Sequence, residues 1–239
     1  MYVLLNQKNN NIPLVIGRHS TGKSYIVNLK ELPNLFISYS HDDQLPGIFI
    51  SFIHQLLKTN TPLLFTMSLS SRLAAQVKPI IPDGSMFMEF MHKDYEDGMI
   101  TSIDEFVTAL KEEVKARKSR KKKSVTAPVM LPDIIVIIDD IFEVLKSHHK
   151  KTPVSFIELL MNAADVGMYF ILGSSGIYRS LLEQVIHFNP VLQKKLNKPD
   201  QQVQISLPLG AEMVVNPDGL LFFREKGEKI HTRLFPGSL

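Results

Sequence analysis

Short apolar runs alternate with amphipathic stretches along most of this chain. Ile134-Ile135-Val136-Ile137-Ile138 is the clearest run. Continuous β-branched residues with no polar face predict a strand covered on both sides, as in a parallel sheet flanked by helices. Leu35-Phe36-Ile37, Leu63-Leu64-Phe65-Thr66-Met67 and Tyr169-Phe170-Ile171-Leu172 read the same way, and residues 86–91 and 203–207 add two further strands. Helical spacing appears between them. Ile48, Phe49, Phe52, Ile53, Leu56 and Leu57 mark a helix over residues 47–58, and Phe106, Val107, Leu110 and Val114 mark another over 103–118. Residues 154–165 and 178–187 are two more. Strand–helix alternation of this kind predicts a single doubly wound, mostly parallel α/β sheet.

The two ends differ from the middle. Leu14-Val15-Ile16 and a second run with Tyr25, Val27 and Leu29 on one face predict an N-terminal β-hairpin region over residues 1–33. Residues 220–224 and 229–234, around Gly227, predict a closing hairpin. At 239 residues the chain suits one domain, 1–239.

Composition changes this picture little. Hydrophobic residues make up 44% and charged residues 21%, ordinary for a globular chain. No apolar stretch approaches the about eighteen residues of a membrane span, and the start has no basic, cleavable leader, so a soluble cytoplasmic piece is expected. With no cysteine and no H-E-x-x-H among eight histidines, no metal centre is expected. His148-His149 reads as solvated loop. Charge is uneven: five cations lie in Lys118-Ser119-Arg120-Lys121-Lys122-Lys123, and without them 22 basic residues face 24 acidic ones. That run and Pro128 read as a basic linker, 118–128, inside the domain. DNA or anionic lipid is its alternative partner, but no aromatic residue interleaves it to stack bases.

Two segments compete to be a phosphate loop. Gly17-Arg18-His19-Ser20-Thr21-Gly22-Lys23-Ser24 fits G-x-x-x-x-G-K-[ST] letter for letter. The motif works only where a helix follows, with its N–H groups aimed at phosphate. Here Pro33 comes soon after, and the residues between alternate like a strand, so a hairpin turn is expected. The segment placed like a phosphate loop is Ser38-Tyr39-Ser40-His41-Asp42-Asp43-Gln44-Leu45-Pro46, between a buried strand and a long helix. It has no glycine or lysine, and Pro46 offers neither N–H nor hydroxyl. Asp42 and Asp43 would repel a triphosphate and suit the positive end of the helix, one of them as its N-cap. Asp139 and Asp140, closing a buried strand, are either Mg²⁺ ligand and base or structural acids.

With these residues in view, the chain resembles the FtsK/SpoIIIE-type translocase ATPases, whose fold is of the P-loop NTPase, RecA-like kind. Their pattern of strand, G-x-x-x-x-G-K turn, second strand and proline is mirrored by Leu14-Val15-Ile16-Gly17, Gly22-Lys23, Val27-Asn28-Leu29 and Leu32-Pro33-Asn34-Leu35. The resemblance puts the family's phosphate-loop lysine and serine at Leu45 and Pro46, and its Walker B acids at Asp139 and Asp140. Ala163-Ala164-Asp165-Val166-Gly167-Met168-Tyr169-Phe170 is similar to the A-[AR]-D-[IV]-G-L-H-L segment of the type VII secretion coupling ATPases, the EssC/EccC group. The sensor strand departs from the usual polar or basic pair, with Ser174 and Ser175 after Gly173. The match runs to Gly210-Ala211-Glu212, Gly219-Leu220-Leu221-Phe222 and Arg233-Leu234-Phe235, and is most like the C-terminal of three ATPase modules.

The resemblance implies a degenerate module of a membrane-anchored secretion motor. Its expected partners are small helical-hairpin substrates of the WxG type, neighbouring ATPase modules of the same chain and, in the full assembly, a homo-hexamer. Nucleic acid is not among them. The expected cofactor is none, or weakly bound ATP and Mg²⁺. The role expected is docking and regulation, with an active ATPase motor for protein or DNA translocation as the alternative.

Overall fold

Most of the apolar runs become strands of one sheet. The computed structural model describes residues 11–39, 45–59, 61–80, 87–91, 102–123, 131–147, 151–175, 211–215, 221–224 and 232–234. Its strands are β1 (Pro13–Arg18), β2 (Ser24–Asn28), β3 (Asn34–Tyr39), β4 (Leu63–Leu69), β5 (Phe87–Met91), β6 (Asp133–Ile138), β7 (Met168–Ser175), β8 (Ala211–Val215), β9 (Leu221–Arg224) and β10 (Thr232–Leu234). The helices are α1 (Leu45–Leu57), α2 (Ser71–Val77), α3 (Ile103–Lys123), α4 (Ile141–Leu145) and α5 (Lys151–Asn162). β1 and β2 form a separate antiparallel hairpin, while the remaining eight strands run β10-β9-β8-β3-β7-β6-β4-β5. From β8 to β5 all neighbours are parallel; β9 and β10 close the sheet as an antiparallel pair.

Residue alternation in β6 shows how one apolar run serves two cores. Ile135 and Ile137 join Phe49, Phe52, Ile53 and Leu56 of α1 and the hairpin's Leu14, Ile16 and Val27 on one face. Ile134, Val136 and Ile138 join Phe106 and Leu110 of α3, Val144 of α4 and Phe156 of α5 on the other. The strand period of two sends successive side chains to opposite layers. Each large apolar side chain so buried contributes about 1.5–3 kcal/mol.

The N-terminal hairpin is stapled to the domain by polar contacts as well. Val15 N–H donates to Gln55 Oε1 at 2.7 Å and Gln55 Nε2 donates back to Val15 O at 3.2 Å, so an α1 side chain supplies the pairing a further strand would give. Tyr25 packs on Phe223 of β9 with ring centres 5.3 Å apart. Lys30 pairs with Asp133 at 2.8 Å, at the amino end of β6. Burial first, and then the Asp133 charge, push the Tyr169 hydroxyl up to about 12.

Several expectations change. The basic run is not a linker where it is described: α3 continues unbroken to Lys123, and residues 124–128 lie outside the described residues. Lysine, arginine and alanine are good helix formers, and cations suit a helix C-terminus. Arg117 also anchors the helix. It is 3% exposed, with Nε bonded to Glu113 at 2.7 Å and Nη1 donating to Pro132 O at 2.8 Å and Val166 O at 3.2 Å. α5 starts at Lys151 rather than 154 and stops at Asn162, followed by a 3-10 turn, Ala164–Val166. The strand expected at 203–207, the helix at 178–187 and His148-His149 all fall outside the described residues. β8 occupies the sheet position beside β3. The short helices α2 and α4 give too few turns to show a period.

Candidate functional site

In open parallel sheets, ligands bind beyond the carboxyl ends of the strands, where the winding direction reverses. That reversal here falls at β3, which has β7 on one side and β8 on the other. Register brings the candidate residues to one edge. Ser38 lies beside Ser174, and Tyr39 beside Ser175, while Ile138 just before Asp139 lies beside Leu172. The end of β3, the acid pair after β6 and the serines ending β7 therefore lie along one edge.

The loop itself is only partly in view. Ser38 and Tyr39 are buried at the end of β3, whereas Ser40, His41, Asp42, Asp43 and Gln44, with the expected aspartate cap, lie outside the described residues. α1 begins at Leu45, earlier than residue 47, and includes Pro46 in its first turn. A first-turn proline loses no intrahelical bond, since its N–H would have no partner there. It also removes one N–H from the group that would otherwise greet an anion.

Each acid at the end of β6 has a definite partner. Asp139 is 5% exposed, and its Oδ2 accepts from the Ser70 N–H at 2.7 Å and from the Ser70 hydroxyl. Its own N–H donates to Ser68 O at 3.2 Å. The carboxylate thus ties the end of β6 to the β4–α2 turn. Asp140 is extended and caps α4, accepting from Phe142 N–H at 2.9 Å. Ser174, 1% exposed, sets its Oγ 3.5 Å from Asp140 Oδ1. Ser175 reaches the same edge.

Gly173 has no room for a side chain. A Cβ there would sit 2.4 Å from the Asp139 carbonyl oxygen and 3.1 Å from a ring carbon of Phe49. No larger residue fits between β7 and the turn after β6. Ser70 escapes a sequence reading because its role is tertiary. A signal existed, since serine before Leu73, Ala74 and Val77 is a helix-start pattern, and Ala74 N–H does donate to Ser70 O at 2.9 Å.

The other candidate, Gly17 to Ser24, is a hairpin turn. Gly17 pairs with Tyr25 and Arg18 with Ser24 across the strands. His19 N–H donates to Lys23 O and Gly22 N–H to His19 O, both at 2.8 Å, and Gly22 takes a φ of +80°. Ser24 opens β2, not a helix. These N–H groups close the turn on itself and leave no converging cradle around Lys23.

Ala163-Ala164-Asp165-Val166-Gly167 has a structural part to play. Met168 N–H returns to Ala163 O at 3.1 Å, and Gly167 turns the chain into β7 at φ +74°. A Cβ on Gly167 would also lie 2.5 Å from Asp133 Oδ1.

No protein-family model and no curated protein matches this sequence. Solved structures do. The cytoplasmic domain of EssC is similar with a TM-score of 0.60 at 10% identity, over 98% of this chain and 45% of that one. Thermomonospora curvata EccC (ATPases 2 and 3), solved in complex with a signal sequence peptide, gives 0.56 at 14% identity over 96% of this chain and 40% of that one. The fold is that of the EssC and EccC ATPase modules. The pCW3 conjugation coupling protein TcpA, solved with ATPγS, gives 0.57 at 13% identity over 96% of this chain and 67% of that one. The chain spans less than half of the EssC and EccC chains it matches.

A RecA-like fold of this kind would hold ATP and Mg²⁺ at the carboxyl edge of the sheet. Leu45 and Pro46 bring neither a cation nor a hydroxyl to the start of α1. The Asp139 carboxylate is engaged by Ser70, and Asp140 by the cap of α4. Among the described residues no three histidine or acidic side chains cluster. Nor is any described helix long and apolar enough to cross a membrane.

Proposed function

We propose that this chain is a non-hydrolysing module of a type VII secretion coupling ATPase, acting in substrate docking and regulation of protein export. The observation that carries the reading is the Leu45-Pro46 pair in the first turn of α1, behind the strand where the fold would place its phosphate loop. Triphosphate recognition needs backbone N–H groups, a cation and a hydroxyl there. In this chain the residues just before α1 include Asp42 and Asp43 instead, whose charge would repel a triphosphate. Asp139 and Asp140 serve the architecture: one clamps β6 to the β4–α2 turn, the other caps α4.

The docking role is carried over from the neighbours. The EccC relative was solved with a signal sequence peptide. By that analogy this module takes the C-terminal signals of small helical-hairpin, WxG-type substrates and stands beside further ATPase modules of a longer, membrane-anchored chain. Assembly as a homo-hexamer belongs to the same proposal.

Calorimetric titration with ATP and Mg²⁺ is the test. The chain should give no saturable heat, and its ATP turnover should stay at background. Saturable binding that Lys23→Ala or Asp139→Ala removes would replace this reading with that of an active motor, for which the TcpA likeness, solved with ATPγS, is the supporting observation.

A further inference from the structure

The basic run changes meaning once it is helical. Val114 is the last residue by which α3 enters the core, and residues 115–123 carry nothing apolar larger than Ala116. Lys115, Lys118 and Lys122 recur at spacings of three and four, which stacks them on one face. Lys115 and Lys122 are exposed and Lys118 is half-buried. The adjoining face is committed to the domain through Arg117, and Lys121 Nζ donates to Asp165 O at 3.2 Å.

This arrangement needs a reason. Lys118 follows Lys115, and Lys122 follows Lys118, with no acidic residue one turn before either. Like charges at these spacings destabilise a helix. The helix dipole favours cations, but its effect fades within the last turn and does not reach Lys115 or Lys118. An external anionic partner would relieve the repulsion.

We propose that the Lys115–Lys118–Lys122 face of α3 docks on an anionic phospholipid surface. Packed on the domain through Val114 and Arg117, the helix leaves Lys115 and Lys122 exposed side by side, a cationic strip that can lie against a plane. Entering a duplex groove about 12 Å wide would require its flanks to be free as well. No aromatic residue is present to stack single-stranded bases, and no large apolar residue to insert below the headgroups. Adsorption is then electrostatic, the mode polybasic segments use on acidic bilayers. Pro132 and Val166, which receive Arg117, precede β6 and β7, so the lysine face lies towards the amino edge of the sheet. The inference is independent of whether the module hydrolyses ATP.

Vesicle co-sedimentation with the 239-residue chain tests it, using phosphatidylcholine with and without about a third phosphatidylglycerol. Binding is expected only to the anionic vesicles and should weaken with added salt. Lys118→Glu/Lys122→Glu should lower affinity at least about tenfold. Lys58→Glu/Lys151→Glu, the same charge change at exposed lysines elsewhere, should leave it within about twofold. Circular dichroism checks that both variants stay folded. Absence of binding to anionic vesicles, or equal losses in the two variants, overturns the proposal. So does a duplex DNA oligomer that displaces the vesicles and is lost with the same pair, which would make the partner a nucleic acid.

Discussion

The turn after β1 and the loop after β3 invert each other. Gly17 to Ser24 has every letter of a phosphate-loop motif but sits between two antiparallel strands. The stretch from Ser38 to Pro46 has neither the glycines nor the lysine, yet it leads from the sheet's winding reversal into α1. A phosphate site requires letters and placement together, because glycine freedom matters only where N–H groups already point from a helix start at one spot. In the hairpin, Gly22 uses its freedom to close a turn. At the sheet edge, Gly173 does the reverse and lets two backbones touch. Placement decides what a glycine is for.

Substitutions sharpen this contrast, beginning with the largest effect. Gly173→Val should destabilise by about 3 kcal/mol, since its Cβ meets the Asp139 backbone carbonyl and overpacking has no flexible side chain to move aside. Thermal unfolding should then fall by about 6–12 °C, given the usual 2–4 °C per kcal/mol at this size. Next comes Asp139→Ala, which leaves the Ser70 N–H and hydroxyl without their acceptor and should cost about 1–3 kcal/mol. Asp139→Asn keeps an acceptor and should lose less by the same denaturant titration. Equal losses for the two would mean that charge, not hydrogen bonding, holds the clamp.

Gly22→Ala should lose about 1 kcal/mol, from positive φ alone, because nothing lies within 4 Å of the added Cβ. Lys23→Ala is the smallest perturbation. It should shift stability by no more than about 0.5 kcal/mol and leave ATP turnover where it was. A collapse of turnover in that variant would break the comparison, since the hairpin would then carry the chemistry despite its geometry.

Much of the architecture was legible beforehand. Uninterrupted runs such as residues 134–138 announce strands covered on both faces, and period-two alternation around Val27 announces the hairpin. The resemblance in residues 163–170 marked the turn into β7, where Gly167 has little steric choice. Less legible were elements without a period of their own. α2 and α4 are too short, and the basic end of α3 shows charge but no apolar face, so composition suggested a tether. Arg117 reverses that reading through carbonyls at Pro132 and Val166, which no local pattern reveals.

The candidate site divides along the same line. Which side chains are present was decided by the sequence alone: Leu45 and Pro46 cannot become a cation and a hydroxyl in any fold. What Asp139 does was decided only by the tertiary structure, because Ser70 comes from a different strand–helix turn, and only the pairing of β4 with β6 brings its N–H within 2.7 Å. Local chemistry travels with the chain, whereas the partner of a buried carboxylate depends on strand order, and strand order is set by packing both faces of the sheet at once.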